Sequence, residues 1–150
     1  MAVNSLRERI IQSDVDILSD LESVVTTTRT MPEFSSLSTF ALTQFPVAAV
    51  VGRLPVPKEK HSSRRMGTVD QIISELKVDV FVYLMANENT DTEISTLLDD
   101  IWVALYTDPN RGNLVMKTEL DLYEGVDYAA PFAAFKVSCI HQYKHDTGGI

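Results

Sequence analysis

The chain has 150 residues, with 13 lysines and arginines against 21 aspartates and glutamates, a formal charge of -8 and an apolar fraction of 45%. A chain of this length buries roughly two-thirds of its unfolded surface around one core, so it needs neither a staple nor a metal to fold, and one domain over 1–150 is expected. Its net negative charge repels the phosphate backbone, which excludes general nucleic-acid binding unless cations gather on one face.

The longest uninterrupted apolar run, Val80 to Ala86, falls far short of the ~18 residues of a membrane span, so no membrane association is expected. The opening MAVNSLRERII has no long apolar run before its charges and does not read as a secretory signal. The lone Cys139 cannot form a disulfide within its own chain, which fits a reducing compartment.

Ser5-Leu6-Arg7-Glu8 reads as a capping box, and Leu6, Ile10, Ile17, Leu21 and Val24 form the apolar stripe of a first helix, with Asp14 as an exception inside the stripe. The β-branched run Val25-Thr26-Thr27-Thr28 is expected to end that helix, and residues 30 to 45 read as a loop. Pro46 to Val51 suits a short buried strand. Pro55 and Pro57 then lead into a segment, about 53–70, expected to be a projecting loop.

Leu76, Val78, Val80, Val82 and Leu84 alternate with polar and aromatic residues, which predicts a strand. Thr90-Asp91-Thr92-Glu93 reads as a second capping box, opening a helix with Ile94, Leu97, Leu98, Ile101 and Leu105 on one stripe and a stop at Asp108-Pro109. After a turn at Asn110-Arg111-Gly112-Asn113, the segments Leu114 to Tyr123 and Phe132 to Tyr143 alternate as two more strands. The fold class expected is α+β: a mostly antiparallel four-stranded sheet with two helices on one face, in the order α-β-β-α-β-β. Gly148 and Gly149 predict a flexible end over about 145–150.

Catalytic chemistry finds little footing. The six glycines are scattered and form no phosphate-binding loop. Cys139 alternates onto an apolar face and reads as an inert core thiol. His141 and His145 lie four residues apart on a predicted strand, a span of about 13 Å that prevents both rings from reaching one ion, so no metal is expected. Glu75 and Asp79, and Glu119 and Asp121, fall on polar strand faces, where cross-strand ion pairing at the solvent side is the expectation. No nucleophile, base and orienter set is evident, and no catalytic residue, enzymatic activity or cofactor is expected.

One charge pattern does stand out. Lys58, Lys60, His61, Arg64 and Arg65 cluster within KEKHSSRR, whereas residues 88 to 110 carry six acids and no lysine or arginine. Four phosphate contacts from the basic cluster would give a salt slope of only about -3.6, a weak and sequence-blind interaction. A basic arm and an acidic helix bearing Asp91, Glu93, Asp99 and Asp100 instead suit head-to-tail contact with a second copy, the kind of interface that closes rings.

The layout over nearly all of the chain resembles the tail-terminator proteins of long-tailed bacteriophages, the minor tail protein U-like or tail-completion group. The features are the amphipathic first helix, the strand FPVAAVV, the protruding segment, the long strand ELKVDVFVYLMA, the helix TEISTLLDDIWVAL and the closing strand AAFKVSCIHQYKH. The resemblance implies a structural virion protein, assembled in the host cytoplasm. It would form a homo-oligomeric, hexameric ring that caps the tail tube, ends its polymerisation and meets the neck or head-completion protein.

Under that resemblance, Lys58 to Arg65 would contact a ring neighbour or the tube protein. The acidic helix would face a neighbour or a lumen through which genomic DNA only passes. A head-completion or neck connector is the alternative within the structural class. A small anionic-ligand-binding or enzymatic α+β domain is the alternative from another class.

Overall fold

A computed structural model describes residues 5–30, 44–61, 71–121, 126–129 and 131–146. The first helix, α1, spans Leu6–Ser19 and is capped by Ser5, whose Oγ accepts the Glu8 amide at 3.1 Å. Only half of the expected capping box forms, because the Glu8 carboxylate pairs with Arg29 instead, and that contact lowers the Glu8 pKa from its usual value. The helix stops before Leu21 and Val24, although both still reach the core. Asp16 and Asp20 oppose the negative end of the helix dipole, and the β-branched Thr26–Thr28 pairs as a strand, β1.

Strands β2 (Val47–Gly52), β3 (Val56–His61) and β4 (Gln71–Met85) follow, then α2 (Thr90–Thr107), β5 (Lys117–Asp121), β6 (Val126–Ala129) and β7 (Phe132–Asp146). The expected α+β class holds, but among the described residues the sheet has seven strands and is mixed, since β1 runs parallel to β2. At its centre, β4 and β7 pair antiparallel over their whole length, from Gln71↔Asp146 to Met85↔Phe132. On one flank of β4, β2 covers Val78–Tyr83 and β3 covers Gln71–Glu75. On the far flank of β7, β5 covers Ser138–Gln142 and β6 covers Phe132–Phe135.

The four expected strands correspond to β2, β4, β7 and β5, with β5 at an edge, and β1, β3 and β6 are additions. The columns that flank the central β4–β7 pair are each built from two short segments, which alternation over a few residues cannot reveal. The expected projecting loop is corrected in part: Val56–His61 is a strand with a register shift between Pro57 and Glu59. Arg64 and Arg65 lie outside the described residues, as do the last residues from Thr147.

Both helices lie on the same face. The residues meeting them are Ala48 and Val50 of β2, Leu76 through Leu84 at alternate positions of β4, and Phe135, Val137 and Cys139 of β7, with Ile10, Ile11, Leu18, Ile94, Leu97, Ile101 and Leu105 opposite. The second helix begins as expected but not through its expected cap. Thr90 lies inside the helix and its hydroxyl bonds the Asn87 carbonyl at 2.7 Å, while Asn87 Nδ2 donates to Glu93 at 3.1 Å.

The opposite face is not uniformly polar. Val47 and Ala49 are fully buried there, joined by Tyr83, Ala134 and Phe81, and Phe45 stacks on Phe132 with ring centres 5.6 Å apart. Strand length shapes the molecule further. The 15 residues of β4 extend about 50 Å, whereas the 18 of α2 reach about 27 Å, so α2 alone cannot span the strand and α1 shares the face with it.

Candidate functional site

The elements bring together a buried polar cluster that the sequence marks only by one misplaced acid. Asp14 points inward from α1 and is fully buried. Its Oδ1 accepts Arg111 Nε at 2.8 Å, and its Oδ2 accepts His141 Nε2 of β7 at 2.7 Å. The other ring nitrogen, Nδ1, lies 2.8 Å from the Thr118 hydroxyl of β5, and that hydroxyl donates to the Pro109 carbonyl at 2.6 Å. Arg111 also caps α2, giving Nη1 to the carbonyls of Leu105, at 2.7 Å, and Asp108. That supplies the cation which the last turn of the helix lacks.

Local backbone geometry makes this possible. Arg111, Gly112 and Asn113 all take positive φ, at 49°, 63° and 71°, and this left-handed turn folds the Arg111 side chain back under the helix it has just left. A lone charge at Asp14 would be costly in an apolar core, so its position in the helical stripe was the one signal for a buried cationic partner. The partner's identity was not legible, because Arg111 is 97 residues away in the chain.

The connection of acid, imidazole and hydroxyl resembles a nucleophilic set, but the geometry assigns it to the interior. Asp14 and His141 are 0% exposed and Thr118 is 3% exposed, so no substrate atom reaches the hydroxyl. Both nitrogens of His141 are engaged by protein groups, which leaves neither for a metal. Cys139 next to it is buried, and burial pushes its thiol pKa far above the usual value, so it is not a thiolate near neutrality.

The carboxylates expected at the solvent side divide. Glu119 pairs with Lys117 along the same strand rather than across strands. Glu75 accepts Gln142 Nε2 at 3.1 Å across β4 and β7. Asp79 departs from expectation: it is only 4% exposed, accepting Ser138 Oγ at 2.7 Å and Arg53 Nε at 2.8 Å.

Of the charged groups singled out in the sequence, Lys58, Lys60 and His61 lie on β3, paired with the start of β4. On α2, Asp91 and Asp99 are exposed, whereas Glu93 bonds Asn87 and Asp100 accepts the Ser23 hydroxyl. The basic strand and the acidic helix are thus on different parts of the molecule. Two of the four acids are free to meet a partner, and two help fix the start of α2 and the segment after α1.

A cavity of about 450 Å³ opens between the end of β4 and the start of α2, walled by Phe45, Leu84, Met85 and Leu97 with Ser23 and Glu93 at its polar side. Among the described residues its lining contains an acid and no lysine or arginine, which does not suit an anionic ligand. No described helix is long and apolar enough to cross a membrane. In comparisons with known proteins, no protein-family model matches this chain and no curated protein matches it.

Proposed function

We propose that this protein is a structural component of a phage virion, a ring-forming terminator that caps the tail tube and joins the tail to the neck. The observation that carries the reading is the separation of charge: a basic segment on β3 and, in sequence, beyond it, against an α2 that bears four acids and no base and is flanked by two more acids, Glu88 and Asp108. Opposite charges on distinct parts of one chain favour copies that associate head to tail, and such contacts close into rings. The α+β layer and its long central strands are in keeping with a subunit that stacks against other particle parts. In this reading the acidic helix faces a neighbour or a lumen, and like-charge repulsion keeps passing DNA from sticking.

A neck or head-completion connector is the second reading, favoured by the same features, since it too would assemble through them. The two separate on one experiment. Purified protein is incubated with open tail tubes of its own phage and, separately, with heads filled with DNA, and bound particles are imaged. Binding at tube ends with arrest of further growth supports the terminator, binding at the head portal supports the connector, and indifference to both would dismiss the virion reading.

A further inference from the structure

We infer that copies of this chain join through a specific pair of surfaces: the groove of Trp102, Val103, Tyr106 and Leu120 on one copy receives the Leu54–Val56 corner of the next. The inference rests on the ring reading above and names the contact.

Two exposed apolar patches stand on opposite edges of the sheet and on opposite faces. Val103 is 69% exposed and Tyr106 50%, and together with Trp102 and Leu120 they line a groove of about 330 Å³ between α2 and β5. Leu120 pairs with Cys139, so the groove lies on the helical face, at the β5 edge. The second patch holds Leu54, 81% exposed, and Val56, 51% exposed, around a smaller groove of about 190 Å³ that also includes Ile140. Val56 pairs with Glu75, which places it on the helix-free face, on the flank of β4 opposite β7.

A patch at each edge is what heterologous association needs, because each copy then offers one surface and accepts the other. An isologous dimer would bury one patch against itself and leave the second open. Charge favours the same pairing. The groove sits on the helix with Asp99 exposed, and the helix carries no cation. The Leu54–Val56 corner is followed in sequence by Lys58 and Lys60 against Glu59, while Arg53 before it already pairs with Asp79 and the groove itself holds both Glu75 and Lys77. Apolar anchors with a rim of opposite charge make a workable interface core.

The test uses the full chain with Leu54→Asp or Val103→Asp, and the milder Leu54→Ser and Val103→Ser, in sedimentation and light scattering with and without open tail tubes. Each Asp variant is expected to weaken self-association at least tenfold with unchanged thermal unfolding. An equimolar mixture of the two Asp variants is expected to form a 1:1 dimer and nothing larger, since one intact groove and one intact corner remain. Cysteines placed as Leu54→Cys and Val103→Cys on separate chains should cross-link between copies. Wild-type oligomers that persist in both Asp variants, or Asp variants that are monomeric and fail to pair when mixed, overturn this contact while leaving the ring. A wild-type chain that stays monomeric even beside tube ends overturns both.

Discussion

Asp14 and Arg111 meet in the core, Oδ1 to Nε at 2.8 Å, with side chains 0% and 1% exposed and 97 residues of chain between them. The pair ties α1 to the end of α2, and through His141 and Thr118 to β7 and β5, so four elements share one buried junction. Removing one member leaves the others charged or unsatisfied in an apolar setting. Asp14→Ala is expected to lower stability by about 3–5 kcal/mol, and Arg111→Met by a similar amount. The double substitution Asp14→Leu with Arg111→Met is expected to recover most of the loss. Denaturant unfolding of the three variants measures this; a loss below about 1 kcal/mol for Asp14→Ala would show that the junction is not a source of stability.

Two glycines separate conformational from steric cost. Gly112 has φ +63°, and a Cβ there would meet nothing within 4 Å, so Gly112→Ala is expected to cost about 1 kcal/mol from backbone strain alone. At Gly52, a Cβ would overlap Ile11 Cδ1 and lie 2.9 Å from Cγ1, pressing β2 away from α1. Gly52→Ala is expected to cost about 1–3 kcal/mol through that overpacking. Equal thermal shifts for the two would undo the distinction.

Stability should fall in alkali. Burial raises Cys139 above its ordinary value of 9.0, and Tyr83 and Tyr143 above 10.0, so each is neutral in the native state where the unfolded chain would ionise. Their contribution is fully present below those ordinary values and is lost as pH rises past them, by about 1.4 kcal/mol per pH unit for each group ionised only in the unfolded chain. Unfolding titrated across pH 8 to 11 reads the slope, and Cys139→Ala should make it shallower between the thiol and phenol ranges. For the same reason the native thiol is expected to resist a disulfide reagent that labels the unfolded chain at once.

Reversing charge at Lys58, Lys60, Arg64 and Arg65 together should weaken association and reduce its salt dependence, with thermal unfolding unchanged. Assembly indistinguishable from wild type would remove the basic segment from the mechanism.

Much of the fold was written in local pattern. Alternation over Leu76–Leu84 places β4, the stripe from Ile94 to Leu105 places α2, and the two charge blocks are plain in the chain itself, because side-chain periodicity and backbone preference act over a few residues. Local pattern could not reveal that the columns flanking the β4–β7 pair are each made of two segments, that Thr26–Thr28 adds a parallel edge, or that Asp79 is buried against Ser138, since those depend on register between distant strands. Nor could it say why Asp14 interrupts its own stripe. An acid in a core is stable only where a cation and hydrogen-bond donors converge on it, and only folding brings Arg111 and His141 there.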